Sequence, residues 1–449
     1  MRNNIVSQYD KMTKTDILPL IVKLSIPTII SMLISNIYNL ADTAFVGQLG
    51  TSASGAVGVV FGYMSIIQAL GFMFGQGSGS IIARSLGEKD TAKARQTAST
   101  GFFCALTFGI VLSVLSLIFI DDLVMKLGST ETIKPYAKTY IYFILAAAPL
   151  MTTSFILNNI LRYEGKAMLG MIGLLTGALL NIAGDPIFMF VFKMGIAGAG
   201  LSTALSQIVS FCILLSMFVR GKTTSRISLK YVTLEPAVIF NIMTTGFPSM
   251  LRQGLNSITT VMLNSYSSVY GDEAVAAMSI VSRIAFFVMS IALGIGQGFQ
   301  PVCGFNYGAG KFKRVRIAYK VTFTLAEILL AIMVAVVLVI SDGLIGTFRN
   351  DPAVIAIGTR ALRLQMIALL FLPLCMITEM MFQSTGHKLG ASILSSLRSG
   401  VFFIPSLIIL ANTRGLSGIQ EAQPLAFVLG FFPSVCFMIW FFNKMPKDD

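Results

Sequence analysis

Charged side chains are scarce in this sequence of 449 residues, and that scarcity excludes most classes of soluble protein. Asp, Glu, Lys and Arg make up 12% of the chain, about half the fraction found in an average soluble domain. Hydrophobic residues account for 55%. We therefore predict an integral membrane protein, because a chain with so few charges is suited to burial in lipid.

Histidine and tryptophan occur once each, and cysteine occurs five times. His387 is predicted in a loop, which excludes a histidine-based catalytic or metal site inside the membrane. Trp440 ends the last apolar stretch, where aromatic side chains anchor helices at the membrane surface. The cysteines lie in apolar stretches without metal-ligand spacing, so we interpret them as free packing residues.

A nucleotide-binding loop is also lacking. The glycine-rich stretch 75–80 lies within an apolar segment and has no Gly-Lys-Ser/Thr ending, which a phosphate-binding loop requires. Small residues at this spacing allow close helix packing in lipid. The sequence therefore predicts no ATPase activity, and we expect no cofactor.

Apolar stretches of about 20 residues, the length of a membrane-spanning helix, recur along the whole chain. Six lie between residues 20 and 219, and six between residues 237 and 442. We therefore predict an all-α integral membrane protein with twelve transmembrane helices in two six-helix lobes. The predicted lobes are residues 1–219 and 237–449, joined by a linker at 220–236.

The two predicted lobes are copies of one unit. At a shift of 221 positions Pro27 aligns with Pro248, and Gly75-Gln76-Gly77 aligns with Gly296-Gln297-Gly298. Identities at Gly and Pro indicate a shared backbone shape rather than shared chemistry. Transporters are often built as paired halves with the cargo bound between them, so the repeat favours a transporter.

The formal net charge of +13 raises the alternative of a nucleic-acid-binding protein. The basic residues argue against it, because 22 of the 33 Lys and Arg lie in alternate loops beside predicted spans and only six in the opposite loops. By the positive-inside rule, both termini and the linker 220–236 are expected in the cytoplasm of a cell-membrane protein. Residues 1–16 are polar and do not resemble a removable signal peptide.

Two carboxylates are predicted inside the membrane, where a charge needs a partner or a function. Asp42 lies late in the first span and Asp185 late in the fifth, so both belong to the outer half. Tyr38 precedes Asp42 by four residues and shares its helix face. Asn181 stands in the same relation to Asp185. Thr203, early in the sixth span, falls at the same depth.

Two carboxylates, an amide oxygen and a hydroxyl are hard oxygen ligands, suited to a hard cation or to proton exchange between close acids. The residues predicted to form this cation site are Asp42, Asn181, Asp185 and Thr203. The alternative is that both aspartates are solvated at the membrane surface or cap helix ends. Within the repeat, Asp42 aligns with Leu263, and no acid lies near Pro405 to match Asp185. The acidic pair is therefore confined to the first half.

Pro27 lies 15 residues before Asp42, or about 22 Å along a helix, and it can kink the first span. The bend is either coupled to the site or fixed. Glu164 and Glu379 are predicted near the cytoplasmic side, where an acid either contacts a cationic cargo or forms a salt bridge. Arg252, Arg283 and Glu327 also fall within predicted spans and have no assigned role, and Arg363 lies near the start of the tenth span.

In combination, several motifs resemble the multidrug and toxic compound extrusion family, including its staphylococcal branch. They are Pro27 with residues 42–50, residues 181–186, residues 195–203, and residues 306–310. The resemblance covers essentially the whole chain. It implies two six-helix bundles forming a V, an export cavity between them, and alternating access driven by inward Na⁺ or H⁺.

The resemblance also carries site residues. The family's first-lobe cation site corresponds to Asp42, Asn181, Asp185 and Thr203, with Tyr38 and Tyr140 as neighbouring polar groups and Pro27 as the bending proline. Some branches place an acidic second cation site in the first helix of the second lobe, and Leu263 supplies no acid for such a site here.

We therefore predict a monomeric antiporter, driven by Na⁺ or H⁺, that exports amphipathic and often cationic drugs across the lipid bilayer. We expect no nucleic-acid partner. One alternative is a lipid-linked precursor flippase of the same superfamily, which needs a basic cavity. Another is an intramembrane enzyme, which needs a catalytic constellation facing its substrate, and only Asp42 and Asp185 resemble one.

Overall fold

The computed structural model describes residues 2–446 of the chain, with side chains from residue 8 onward, and these residues form helices and connecting turns without a β-strand. In lipid every backbone N–H and C=O group must find its partner within the protein, and a helix satisfies them within one segment. The predicted all-α class is confirmed.

Sixteen α-helices follow one another along the described residues. The first eight are α1 (Arg2–Lys14), α2 (Ile17–Gly47), α3 (Thr51–Gly87), α4 (Thr91–Ile118), α5 (Ile120–Lys126), α6 (Lys134–Tyr163), α7 (Ala167–Pro186) and α8 (Ile196–Val219). The other eight are α9 (Pro236–Ser267), α10 (Asp272–Gly308), α11 (Phe312–Phe348), α12 (Pro352–Leu369), α13 (Leu372–Thr385), α14 (Lys388–Ser396), α15 (Phe403–Arg414) and α16 (Leu416–Lys444). Two π-helical turns, Ile187–Val191 after α7 and Leu397–Phe402 between α14 and α15, extend their helices.

Eleven helices of the described region are long and apolar enough to cross a membrane, against the twelve spans predicted. The difference is α9, a continuous helix of 32 residues whose Asn, Ser, Thr and Arg side chains lower its hydropathy. A second difference lies in the predicted span 358–383, which is divided into α12 and α13 around Leu370 and Phe371. The multi-pass character of the membrane protein is confirmed.

The repeat is visible in the backbone as well as in the sequence. Both α2 and α9 remain helical through their aligned prolines, Pro27 and Pro248. Matching glycines with positive φ close the matching turns. The aligned pairs are Gly50 (114°) with Gly271 (96°), Gly165 (74°) with Gly386 (88°), and Gly195 (58°) with Gly415 (61°). Positive φ is a backbone conformation that glycine adopts without steric cost.

Packing divides the chain into two compact units that do not coincide with its halves. Unit 1 contains the residues up to Met12 and Ile30–Met250, and unit 2 contains Thr13–Ile29 and the residues from Leu251 onward. The first part of α2 therefore packs within unit 2, and the first part of α9 within unit 1. The lobe boundaries predicted at 219 and 237 follow the sequence and stay a prediction.

Candidate functional site

Three helices of unit 1 bring the four predicted cation ligands together. Asp42 comes from α2, Asn181 and Asp185 come from the last turns of α7, and Thr203 comes from the second turn of α8. Each of the four side chains is at most 2% exposed. This burial within the protein argues against the alternative of two aspartates solvated at the membrane surface.

Asn181 connects α7 to α8. Its Nδ2 atom lies 3.2 Å from Asp185 Oδ1 and 3.2 Å from Thr203 Oγ1, and 3.4 Å from Ser202 Oγ. The Ser202 hydroxyl in turn donates to the backbone carbonyl of Asn181 at 3.3 Å. Because the amide hydrogens point to these oxygens, the Asn181 side chain is held in one orientation.

Tyr140 on α6 joins Asp42 to the same network. Its hydroxyl donates to Asp42 Oδ2 at 3.4 Å and lies 3.3 Å from Thr203 Oγ1. Tyr140 is buried in the hydrophobic core of unit 1, so its hydroxyl is held in place by packing. Tyr38 on α2 lies within electrostatic reach of both carboxylates, and the carboxyl groups of Asp42 and Asp185 interact with each other.

Three oxygen atoms of this cluster lie buried without a hydrogen-bond donor from the described residues: Asp42 Oδ1, Asn181 Oδ1 and Asp185 Oδ2. A buried acceptor left unsatisfied costs about 1–3 kcal/mol, and more when it is charged. Among the described residues, no basic side chain acts on either carboxylate. The cluster is therefore a site of negative potential with oxygen atoms that a small cation or a proton would satisfy.

The ligand types further restrict the cation. Across residues 2–446, no group of three or more His, Cys, Asp or Glu side chains is placed to hold a metal ion. Carboxylate, amide and hydroxyl oxygens without nitrogen or sulfur ligands suit hard cations rather than transition metals. The residues present therefore fit Na⁺, and two interacting carboxyl groups also fit a shared proton.

Local backbone features set the spacing of this site. The helix changes to a π-helical turn directly after Asp185 and Pro186, and such turns are frequent at functional sites. A Cβ atom on Gly184 would lie 2.5 Å from Ser202 Oγ, and one on Gly198 would lie 2.6 Å from the carbonyl carbon of Phe188. These two glycines allow α8 to approach α7 closely enough for the side chains to meet.

Pro27 is buried in the part of α2 that belongs to unit 2. Asp42 lies in the part of the same helix that belongs to unit 1, so α2 extends from one unit to the other between these two residues. Pro27 is thus not a ligand of the cation site. Its role as a hinge stays a prediction.

Glu164 is fully buried, and both of its carboxylate oxygens are engaged. Oε2 accepts hydrogen bonds from the backbone N–H of Thr224 at 2.8 Å and from Lys166 Nζ at 3.0 Å, while Oε1 accepts one from the N–H of Ser225 at 2.6 Å. The carboxylate therefore attaches the linker to unit 1. Contact with a cargo stays a prediction that this geometry does not favour.

Glu379 is buried in unit 2, where it forms an ion pair with Arg252. This pair corresponds to the salt-bridge alternative for Glu379 and gives Arg252 a partner. Arg283 is exposed. Glu327 forms no ion pair among the described residues, and its Oε2 atom is buried without a donor.

Two polar residues of interest were missed by sequence reasoning. Ser202 precedes Thr203 in the motif 195–203, so its proximity to the site was available as a signal. Arg398 is the only charged residue between 391 and 411, a signal that was equally available. In the structure it interacts electrostatically with Arg252 and Glu379.

The sequence and the fold match known proteins over nearly their whole length. The family model described as MatE matches residues 27–187 and 247–409, one match in each half of the repeat. A curated relative, Multidrug export protein MepA from Staphylococcus saprophyticus, is 30% identical over 88% of this chain and 87% of its own length.

Two solved structures are similar at about the same level of identity. One is the outward-facing conformation of a multidrug resistance MATE family transporter, with 28% identity, a TM-score of 0.90 and coverage of 97% of each chain. The other is a MOP superfamily transporter from Pyrococcus furiosus, whose binding pocket is described as reversed in polarity, suggesting a different function. It shows 27% identity and a TM-score of 0.92, covering 98% of this chain and 99% of its own.

Proposed function

Because this chain belongs to the MatE family of multidrug and toxic compound extrusion transporters, we propose that it is a cation-coupled antiporter that exports amphipathic drugs. Its relatives are transporters rather than enzymes. The relatives' names support multidrug export as the cargo class. One observation supports the coupling: Asp42 and Asp185 are two interacting buried carboxylates that have no basic partner among the described residues.

In this proposal the cluster alternates between a cation-bound and a cation-free state. Either Na⁺ held by the oxygens of Asp42, Asn181, Asp185 and Thr203, or protons on the two carboxyl groups, removes the repulsion between the acids. Ion occupancy changes the conformational equilibrium only through different affinities in the two states. Because α2 belongs to both units, a change around Asp42 is transmitted along a single helix toward Pro27.

The predicted orientation completes the proposal. With both termini and the linker in the cytoplasm of a cell membrane, the coupling ion enters from outside while cargo leaves. Amphipathic cations are the expected cargo, and the protein is expected to act as a monomer.

A lipid-linked precursor flippase is the second candidate, and the arginines of unit 2 are the observation that favours it. Such a protein needs basic side chains in its interior to hold a pyrophosphate. Arg252 is already paired with Glu379, which leaves one positive charge in excess. A pyrophosphate carries at least two negative charges, so drug export remains the better match.

The test is transport by the purified protein in proteoliposomes, with ethidium as the cargo. We expect ethidium movement under an imposed Na⁺ gradient or pH gradient, and the gradient that works identifies the ion. Asp42→Asn and Asp185→Asn should each abolish the gradient-driven component. Asp122→Asn, an exposed aspartate on α5, is the matched control and should transport normally. Wild-type rates in both site variants would contradict the coupling proposal.

A further inference from the structure

A second buried charged cluster lies in unit 2, away from the predicted cation site. Arg252 on α9 and Glu379 on α13 form its ion pair, and they are only 8% and 4% exposed. Arg398, in the π-helical turn Leu397–Phe402, interacts electrostatically with both. We name Arg252, Glu379 and Arg398 the arginine cluster.

The arginine cluster carries one positive charge in excess. Two guanidinium groups interact with one carboxylate. Among the described residues, the one other titratable group acting on Arg398 is the thiol of Cys375. An unbalanced charge in the interior of a membrane protein is costly unless a partner of opposite sign compensates it. The excess charge therefore points to an anionic ligand.

The hydrogen-bond donors of Arg398 are available to such a ligand. In the part of the chain from residue 2 to 446, this guanidinium makes no hydrogen bond, and its carbon lies over the ring of Phe427 at 5.3 Å from the ring centroid. Because these N–H groups have no partner among those residues, they can bind a carboxylate or phosphate. The side chain is also partly accessible.

The position of Arg398 is fixed by bonds between its π-helical turn and α9. The Ser399 hydroxyl donates to Asn256 Oδ1 at 2.8 Å, and the Thr259 hydroxyl donates to the carbonyl of Ser399 at 3.2 Å. These bonds hold Arg398 on the same side of α9 as Arg252. Two guanidinium groups held in this way are preorganised for one anionic group.

The arginine cluster lies near the middle of its helices. Arg252 is about 24 Å from the start of α9 and Arg398 about 15 Å from the start of the span Lys388–Arg414, at 1.5 Å per residue. The head groups of bulk lipids lie at the membrane surface and do not reach this depth. The anion must therefore belong to a molecule that enters the interior of the protein.

We infer that Arg398 and Arg252 form a binding site for the anionic group, a carboxylate or a phosphate, of an amphipathic molecule. The two guanidinium groups supply the charge, and Phe427 supplies an aromatic surface beside it. The inference extends the cargo beyond cations to anionic and zwitterionic amphiphiles. It concerns binding alone and does not depend on cation coupling.

The first test measures binding of two fluorescent probes to the protein in nanodiscs by fluorescence anisotropy. Dansyl-6-aminohexanoate and N-dansyl-1,6-diaminohexane share one apolar body and differ in the charge of the end group. We expect Arg398→Gln to weaken binding of the carboxylate probe about tenfold, as for the loss of a charge-assisted hydrogen bond, and to leave the amine probe unaffected. Arg349→Gln, an exposed loop arginine, is the matched control.

A variant that should strengthen binding separates recognition of the anion from loss of protein stability. Glu379→Gln removes the carboxylate that competes with the ligand for Arg252, so it should strengthen binding of the carboxylate probe. Arg398→Lys keeps the charge without the planar donors and should bind with intermediate affinity. If Arg398→Gln fails to fold, Glu379→Gln and Arg398→Lys provide the test. A carboxylate probe that binds equally to the wild type and all folded variants overturns the inference.

Competition then identifies the source of the anion. Farnesyl phosphate stands for a lipid-linked phosphate, and decanoate for a small amphipathic carboxylate. The better competitor assigns the site to its class, and displacement by neither overturns the inference. No ion gradient is present in these measurements, so failure here is distinct from failure of the coupling proposal, which is seen only in gradient-driven transport.

Discussion

Position 42 in the first half of the repeat holds an aspartate, and the aligned position 263 in the second half holds a leucine. Both side chains are 2% exposed. The helices that carry them end in matching turns, at Gly50 and Gly271, with positive φ in each. The same buried place in the same backbone therefore holds a charge in one half and an alkyl group in the other.

At the arginine cluster the charged residues lie in the second half, and the aligned residues of the first half are neutral. At the shift of 221, Arg252, Glu379 and Arg398 align with Ser31, Asn158 and Gly177. Buried charge thus occurs in each half at places where the other half is neutral, with negative charge in unit 1 and an excess of positive charge in unit 2. Backbone shape and buried charge therefore vary independently between the two halves. In our proposals the negative site takes the coupling ion and the positive site takes the charged group of the cargo.

The largest effect is expected when the first half is made to resemble the second. Asp42→Leu introduces the side chain found at position 263 and removes one of the two interacting carboxylates. Because the remaining Asp185 can no longer share an ion with a second acid, gradient-driven ethidium transport should fall at least about a hundredfold, as expected when some 3 kcal/mol of ion interaction is lost. Initial rates in proteoliposomes measure it.

Passive ethidium binding provides the control for that variant. Asp42→Leu should still bind ethidium in nanodiscs without a gradient, which shows that the protein is folded. If transport by Asp42→Leu stays coupled to the ion gradient, the difference between positions 42 and 263 has no effect on function.

The reciprocal change should destabilise without creating a second ion site. Leu263→Asp places a carboxylate among the apolar side chains that surround Leu263 in the core of unit 2. An unpartnered acid at such a depth costs about 3 kcal/mol, so we expect a melting temperature several degrees lower. Leu263→Asn separates charge from polarity and should cost less. A stable Leu263→Asp protein that requires more coupling ions per cargo would overturn the assignment of ion binding to the first half.

Much of this comparison could be predicted from the sequence. Spacing by four residues and depth in a span can both be read from the sequence. These two features identified the candidate ligands Asp42, Asn181, Asp185 and Thr203. The break between α12 and α13 also left a signal, since Pro373 opens α13 and proline disfavours helix before it.

Other contacts leave no pattern in the sequence from which they could be predicted. The carboxylate of Glu164 binds backbone N–H groups of the linker, and any residue could supply those groups. Arg398 was visible as an isolated charge, but its cation–π contact with Phe427 depends on how α16 packs against the π-helical turn. Spacing along one helix predicts neighbours on that helix and leaves contacts between distant segments undetermined.

A smaller effect is expected from substitutions that disturb the backbone shape shared by the two halves. Gly198 and Gly418 align at a shift of 220, and a Cβ atom on either would lie within 2.6 Å of backbone atoms. Gly198→Ala and Gly418→Ala should therefore both lower the melting temperature, by an amount corresponding to about 1–3 kcal/mol of overpacking. Only Gly198→Ala should also weaken stabilisation by the coupling ion, because Gly198 packs beside the turn after Asp185. Equal ion dependence in both variants would contradict this division.

The smallest expected effect concerns the linker, which is bound by Glu164 in the first half but not by the aligned Thr385 in the second half. Glu164 aligns with Thr385, whose hydroxyl donates to the carbonyl of Met381 within its own helix. Glu164→Gln removes the charge from two hydrogen bonds to the linker, so the amides of Thr224 and Ser225 should exchange hydrogen about fivefold faster, as expected for about 1 kcal/mol. Hydrogen exchange of the peptide that contains them measures the change. Glu235→Gln, at an exposed acid of the same linker, should leave their exchange unaltered. Unchanged exchange in Glu164→Gln would show that the linker is held by its other bonds, such as that from the Ser99 hydroxyl to the carbonyl of Arg226, and that the buried acid has a different role.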